Sequence, residues 1–117
     1  MCKFLNKSVW DSLKDATDRH GFSFRQAIFS GCQNTDSGIG VYAGSPDSYF
    51  DFSDLFGPII EDYHGYSLSS QHISNMDPND LEAPPLNAED AAYIVSTRIR
   101  VGRNLQDFPL GPGISRE

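Results

Sequence analysis

No stretch of this 117-residue chain approaches the roughly 18 consecutive apolar residues of a membrane-spanning helix. Cysteine is scarce. Cys2 and Cys32 make one possible pair, too few for a disulfide scaffold, so reduced thiols and a cytoplasmic setting are expected. Positive charge is scarce as well: 9 Lys and Arg stand against 16 Asp and Glu, a formal net charge of −7. That argues against nonspecific binding to nucleic acid or to an anionic membrane, which a broad basic surface would drive. A small, local anion site is not excluded. His20, His64 and His72 are scattered without metal-ligand spacing, so no protein-held metal is expected. The opening Met1-Cys2-Lys3-Phe4-Leu5 has too little apolar content for a signal peptide. Internal repeats and low-complexity tracts are missing too. What is left is a chain long enough for one modest core.

Helical signals fill the first two-thirds. Asn6 reads as an N-cap, with Leu5 and Trp10 as a hydrophobic staple. Val9, Trp10, Leu13 and Ala16 follow at helical spacing, and Gly21 is the expected stop. Ser23 and Gln26 form a capping box for a short helix ending at Gly31. A turn-rich stretch, Cys32 to Gly44, comes next. Ser45-Pro46 reads as an N-cap with proline at the first helical position. The apolar stripe from Tyr49 to Tyr63 predicts a core-facing helix, kinked or split at Gly57-Pro58 and ended by His64-Gly65. Residues Tyr66 to Glu89, with Pro78, Pro84 and Pro85, read as a linker or surface loop with one helical turn started by Asp77-Pro78. A strand is expected from Ala92 to Val101, then an irregular tail. An isolated strand cannot satisfy its own backbone groups. The expectation is therefore a helical unit followed by the start of a second domain whose sheet lies elsewhere.

Two segments carry candidate chemistry. As a strand, Ser96-Thr97-Arg98-Ile99-Arg100 puts Ser96, Arg98 and Arg100 on one face, about 6–7 Å apart. Two planar guanidinium forks beside a hydroxyl suit successive phosphates of a nucleotide. The plainer alternative is solvated arginines on an edge strand. Arg103 is expected to pair with a carboxylate at the strand's end. In Ser37-Gly38-Ile39-Gly40 two glycines permit positive φ and close backbone approach, so loop amides and carbonyls can meet a carboxylate and an ammonium group. The alternative is a plain glycine-rich turn; it is not a dinucleotide fingerprint, because no strand precedes it and the third glycine is absent. Tyr42 either offers its hydroxyl to a ligand or packs on the following helix. Glu61-Asp62 are adjacent on a helix and diverge by about 100°, which makes them surface charge or a domain contact rather than an acid pair.

Four motifs in order carry a resemblance: Gly21-Phe22-Ser23-Phe24-Arg25-Gln26-Ala27-Ile28-Phe29-Ser30-Gly31, Asp36-Ser37-Gly38-Ile39-Gly40-Val41-Tyr42-Ala43, Asp54-Leu55-Phe56-Gly57-Pro58-Ile59-Ile60-Glu61-Asp62-Tyr63-His64-Gly65, and Val95-Ser96-Thr97-Arg98-Ile99-Arg100-Val101-Gly102-Arg103. Together they resemble the phosphagen (ATP:guanidino) kinases. The resemblance implies a mainly α fold: a small helical bundle with linker over 1–88, then the first strand of an α+β C-terminal domain over 89–117. It implies reversible phosphoryl transfer from MgATP to a guanidino substrate. ATP or ADP with Mg²⁺ would be the cofactor, with no protein ligand to the metal in this chain. Ser37, Gly38, Ile39, Gly40, Val41 and Tyr42 would hold the substrate's amino-acid end. Ser96, Thr97, Arg98, Ile99 and Arg100 would contact ATP phosphates.

The short loop from Asn34 to Tyr49 resembles the arginine-kinase branch, so L-arginine is the favoured acceptor over taurocyamine, lombricine, glycocyamine or creatine. Residues 72–86 and the ending Gly113-Ile114-Ser115-Arg116-Glu117 resemble the creatine-kinase branch. The chain begins later than a typical member and ends near the start of the C-terminal domain. The family's catalytic glutamates and reactive cysteine lie beyond Glu117, and Cys2 and Cys32 do not match that cysteine. No catalytic residue is therefore assigned here, and the 117 residues alone are expected to be inactive. The expected partners are a guanidino small molecule and a nucleotide, with neither nucleic acid nor membrane; the resemblance also allows a homodimer. The competing role is a non-catalytic truncated isoform or domain acting in subunit association. A small acidic helical adaptor is the weaker third.

Overall fold

The structure, a computed structural model, describes residues 1–81 and 85–115. Pro84 of the expected linker and Arg116-Glu117 of the ending lie outside the described residues. The chain divides into two compact units, Met1–Ser70 with the described part of Asn104–Glu117, and Gln71–Arg103.

The first unit contains α1 (Lys7–Leu13), α2 (Phe24–Gln33), α3 (Ser48–Asp51) and α4 (Ser53–His64). Asn6 caps α1, its side chain accepting from the Val9 N–H at 3.0 Å. The helix stops at Leu13, well before Gly21. Downstream, the Phe24 N–H reaches back to the Ala16 carbonyl at 3.0 Å, and Thr17 bridges to Ser23. The chain is thus folded back on itself where the periodicity suggested more helix. Gly21, at φ +79°, serves the turn instead.

Ser23 and Gln26 make the expected capping box at the start of α2. The helix then runs through Gly31 to Gln33. A Cβ on Gly31 would lie 2.3 Å from the Gly40 carbonyl oxygen, so this glycine answers a close backbone approach rather than a helix stop. The third helix starts at Ser48, not at Ser45-Pro46, because the Ser45 hydroxyl is turned to Asp18 instead of capping. The expected break at Gly57-Pro58 is also displaced. The chain interrupts at Phe52, and α4 carries Pro58 inside it. Proline removes only the bond to the Asp54 carbonyl, and Asp54 is exposed, where water can replace it. Phe52 is fully buried, its ring 5.5 Å from Phe24 and 6.2 Å from Phe56, which ties the interruption to the core. Gly65, at φ +72°, ends α4 as expected.

Leu13, Phe22, Phe24, Ala27, Ile28, Ala43, Phe52, Leu55, Phe56 and Ile59 form this core. Full burial of one of the Leu, Ile or Phe side chains contributes about 1.5–3 kcal/mol. Trp10 is partly buried against the core and carries Arg25 over its ring, 5.3 Å from the centroid. From the aromatic stripe, Tyr49, Phe50 and Tyr63 stay exposed. The tail is less irregular than expected: Gly111–Gly113 form a 3₁₀ turn, and the Leu110 N–H donates to the Gly44 carbonyl at 2.8 Å.

The second unit holds a 3₁₀ turn at Pro78–Asp80, capped by Asp77 as expected, and α5 (Ala88–Ala91), capped by Asn87. The strand expected from Ala92 to Val101 is not formed; the segment has neither strand nor continuous helix, and no β-strand occurs among the described residues. The cause is the one its sequence announces, since a strand without a partner leaves its ladder groups to water.

Candidate functional site

The Asn34–Gly44 connection leaves the C-terminus of α2 and returns to its flank. Gly40 sits at φ +77° and its carbonyl accepts the Gly31 N–H at 3.0 Å. The Tyr42 N–H donates to the Ala27 carbonyl at 2.9 Å, and the Ser37 N–H to the Asn34 carbonyl at 3.0 Å. Among the described residues, the N–H groups of Gly38 and Ile39 donate to nothing, and both residues are exposed. A turn held at both ends thus presents two consecutive backbone donors to solvent. Successive free amides make an anion-binding concavity.

Two hollows flank this turn. Ser37, Ile39 and Gly40, with Gly31, Thr35 and Met1-Cys2-Lys3, line one of about 210 Å³. Ile39, Val41 and Tyr42, with Tyr49, Tyr63, His64 and the tail at Leu110, line a more apolar one of about 380 Å³. Tyr42 is half exposed and shares the second hollow with Tyr49 of α3. Among the described residues no group of three or more His, Cys, Asp or Glu gathers to hold a metal.

Next to the loop's far end, bonded to Ser45 and Ser48, lies a residue whose role the spacing of motifs does not announce. Asp18 is buried, 4% exposed, and accepts four hydrogen bonds. One carboxylate oxygen takes the His20 N–H at 2.9 Å and the Phe22 N–H at 3.0 Å. The other takes the Ser45 hydroxyl at 2.6 Å and the Ser48 hydroxyl at 3.0 Å. Burial pushes its pKa up, but the Ser45 hydroxyl, the Phe22 N–H, the Ser48 hydroxyl and the His20 N–H outweigh it and hold the carboxyl below the ordinary 3.8. The available signal was Asp18-Arg19-His20-Gly21, a turn signature with Asp first and Gly fourth. The Gly21 N–H does close that turn on the Asp18 carbonyl at 2.9 Å.

Residues 1–61 match the family described as ATP:guanido phosphotransferase, N-terminal domain. The chain belongs to the phosphagen kinase family. It is 46% identical over 115 residues to an arginine kinase of Anthopleura japonica, covering 97% of this chain and 16% of that protein. It is 41% identical over 111 residues to an arginine kinase of Callinectes sapidus and 40% identical to one of Penaeus vannamei, each match covering 94% of this chain and 31% of the relative. This phosphagen kinase chain therefore spans a third or less of the relatives it matches.

The arginine-bearing segment of this phosphagen kinase chain lies in its second unit. Ser96, Thr97, Arg98, Ile99 and Arg100 are all exposed, Ile99 at 89%. Among the described residues neither Arg98 nor Arg100 is in an ion pair. Among the described residues Arg103 pairs with no carboxylate; its Nη1 donates to the adjacent Gly102 carbonyl at 2.7 Å. Glu61 and Asp62 have separate partners. Glu61 accepts the Leu68 N–H at 2.9 Å, and Asp62 pairs with Lys3.

Proposed function

We propose that this chain is the part of an ATP:guanidino phosphotransferase that carries its guanidino-substrate loop and its first phosphate-contacting segment, with L-arginine as the acceptor. In the complete reaction a guanidino nitrogen attacks the γ-phosphorus of MgATP. The bond to the ADP oxygen breaks, and the nitrogen sheds a proton. Such a reaction asks mainly for alignment and charge neutralisation. Ser37 to Tyr42 hold the acceptor's amino-acid end, remote from the transferred group. Ser96, Thr97, Arg98, Ile99 and Arg100 take the nucleotide phosphates, Arg98 and Arg100 offsetting their charge. The metal arrives with the nucleotide. By function the division falls near residue 88, and the 117 residues alone do not turn over. Their setting is cytoplasmic, with reduced thiols.

The observation that carries the reading is the pair of exposed, unengaged amides at Gly38 and Ile39, held between anchored neighbours. A carboxylate fits there as an acceptor of both. The test is an amide-resolved NMR titration of the chain with L-arginine and, separately, with agmatine, which keeps the guanidino group and lacks the carboxylate. Saturable shifts at Gly38 and Ile39 with arginine alone are expected. Equal responses to both compounds, or none, defeat the reading. Titration with MgADP is expected to move Arg98 and Arg100.

Subunit association is the alternative role. Ile73, Met76, Val95 and Ile99 give it exposed apolar area. A strictly monomeric sedimentation profile, alone and mixed with a full-length relative, counts against it.

A further inference from the structure

The loop that we assign to substrate is anchored at its far end by groups that touch no ligand. Gly44 is the root at which this loop re-enters the core, and it is gripped on both backbone groups. Its N–H donates to the Ser48 hydroxyl at 3.1 Å, and its carbonyl accepts the Leu110 N–H at 2.8 Å. The Ser48 hydroxyl also accepts the Ser45 N–H at 3.2 Å and spends its own proton on the Asp18 carboxylate at 3.0 Å. That proton can point only one way while both lone pairs are occupied, so the carboxylate fixes the hydroxyl as an acceptor toward Gly44. The fit leaves no slack: a Cβ on Gly44 would lie 2.1 Å from the Phe22 ring, and the Phe22 N–H is itself held by Asp18. Ser45 and Ser48 are both fully buried.

We propose that Asp18 is a positioning residue for the substrate loop, acting through the Ser48 hydroxyl to lock the Gly44 root. The proposal rests on the reading of residues 37–42 as the substrate loop. It separates two serines that look equivalent. Ser45 also bonds Asp18, at 2.6 Å, but its hydroxyl is not relayed to Gly44. Ser48 is the relay, and Ser45 is a brace.

The two roles part in a hydrogen-exchange measurement on the chain. Reporters are the Tyr42 N–H, bonded to Ala27, and the Leu110 N–H, bonded to Gly44. Ser48→Ala is expected to speed exchange at both about tenfold, the scale of one lost hydrogen bond, while α4 amides keep their rates. Ser45→Ala is expected to lower Tm without that local change. Asp18→Asn, which keeps the shape and removes the charge, is expected to follow Ser48→Ala. Unchanged rates at Tyr42 and Leu110 in Ser48→Ala, or one uniform increase across α2, α4 and the loop, overturn the proposal. These rates need no ligand, so a failed arginine titration with altered exchange would sink the substrate reading and leave the lock standing.

A kinetic arm uses the chain in place of the matched segment of the Callinectes sapidus arginine kinase. There Ser48→Ala is expected to raise KM for L-arginine several-fold, with kcat held within about twofold, because the loop grips the end remote from the reaction. Ser45→Ala is expected to move neither. A fall in kcat at constant KM counts against positioning.

Discussion

Between Leu13 and Ile59, ten apolar side chains, Phe24, Phe52 and Leu55 among them, are buried in one core; between Gln71 and Arg103, Ile73, Met76, Leu81, Tyr93, Val95, Ile99 and Val101 stand in water, Val95 at 96% exposure. The two segments use similar residue types. The difference is whether the chain brings a second apolar surface to each stripe. In the first unit Phe24 of α2 packs on Phe52, at the break between α3 and α4, and Phe52 packs on Phe56 of α4. In the second unit α5 is four residues long, and the arginine-bearing segment has no ladder to join. Burial follows from pairing of elements, and alternation alone does not supply it.

The contrast can be broken most sharply at Phe52. Phe52→Ala is expected to cost about 3–5 kcal/mol by urea unfolding, the range for deleting a buried phenyl ring. A loss below about 1 kcal/mol would mean that the first unit is not the stable one. The arginines reverse the comparison. Arg98→Ala and Arg100→Ala are each expected to leave stability within about 0.5 kcal/mol. In an intact enzyme carrying this chain, each should cost on the order of 2–4 kcal/mol in transition-state stabilisation, read from kcat/KM.

A pH series sharpens the contrast inside the first unit. Because the folded chain holds Asp18 below 3.8, its contribution is present above that pH and drains away as pH falls through the lower, folded value. Asp18→Asn should therefore be less stable than the parent near neutrality, and the gap should close in acid. A gap of constant size from pH 7 to pH 2 would show that the charge is not what stabilises the turn. A further backbone test lies at Gly40. With φ at +77° and a Cβ falling 2.8 Å from the Gly31 Cα, Gly40→Ala should lose about 1–2 kcal/mol, measured by thermal unfolding.

Much of the helical unit is legible in the residues. Asn6, the Ser23–Gln26 box, the Asp77-Pro78 turn and Gly65 act as their types suggest, because a cap depends on a few consecutive residues. The misread boundaries share one origin. Leu13, Gly31 and Phe52 end or continue helices for reasons that lie outside the helix's own periodicity: a turn organised by Asp18, a backbone contact with Gly40, a place in the aromatic core. The arginine segment does not take the strand conformation that its period of two suggests, since that period describes a partnered strand. The motif Ser37 to Tyr42 was legible as a loop needing glycine. Its two exposed amides, and the serine relay at its Gly44 end, required distances that no spacing encodes.

One seam has a mechanical meaning. The tail closes on the loop's root through a single backbone bond from Leu110, with Gly113 stacked so tightly that a Cβ there would sit 2.1 Å from the Gly44 oxygen. Ile114 follows Gly113 directly, so any displacement of the tail here bears on the far anchor of the loop through this bond and this contact.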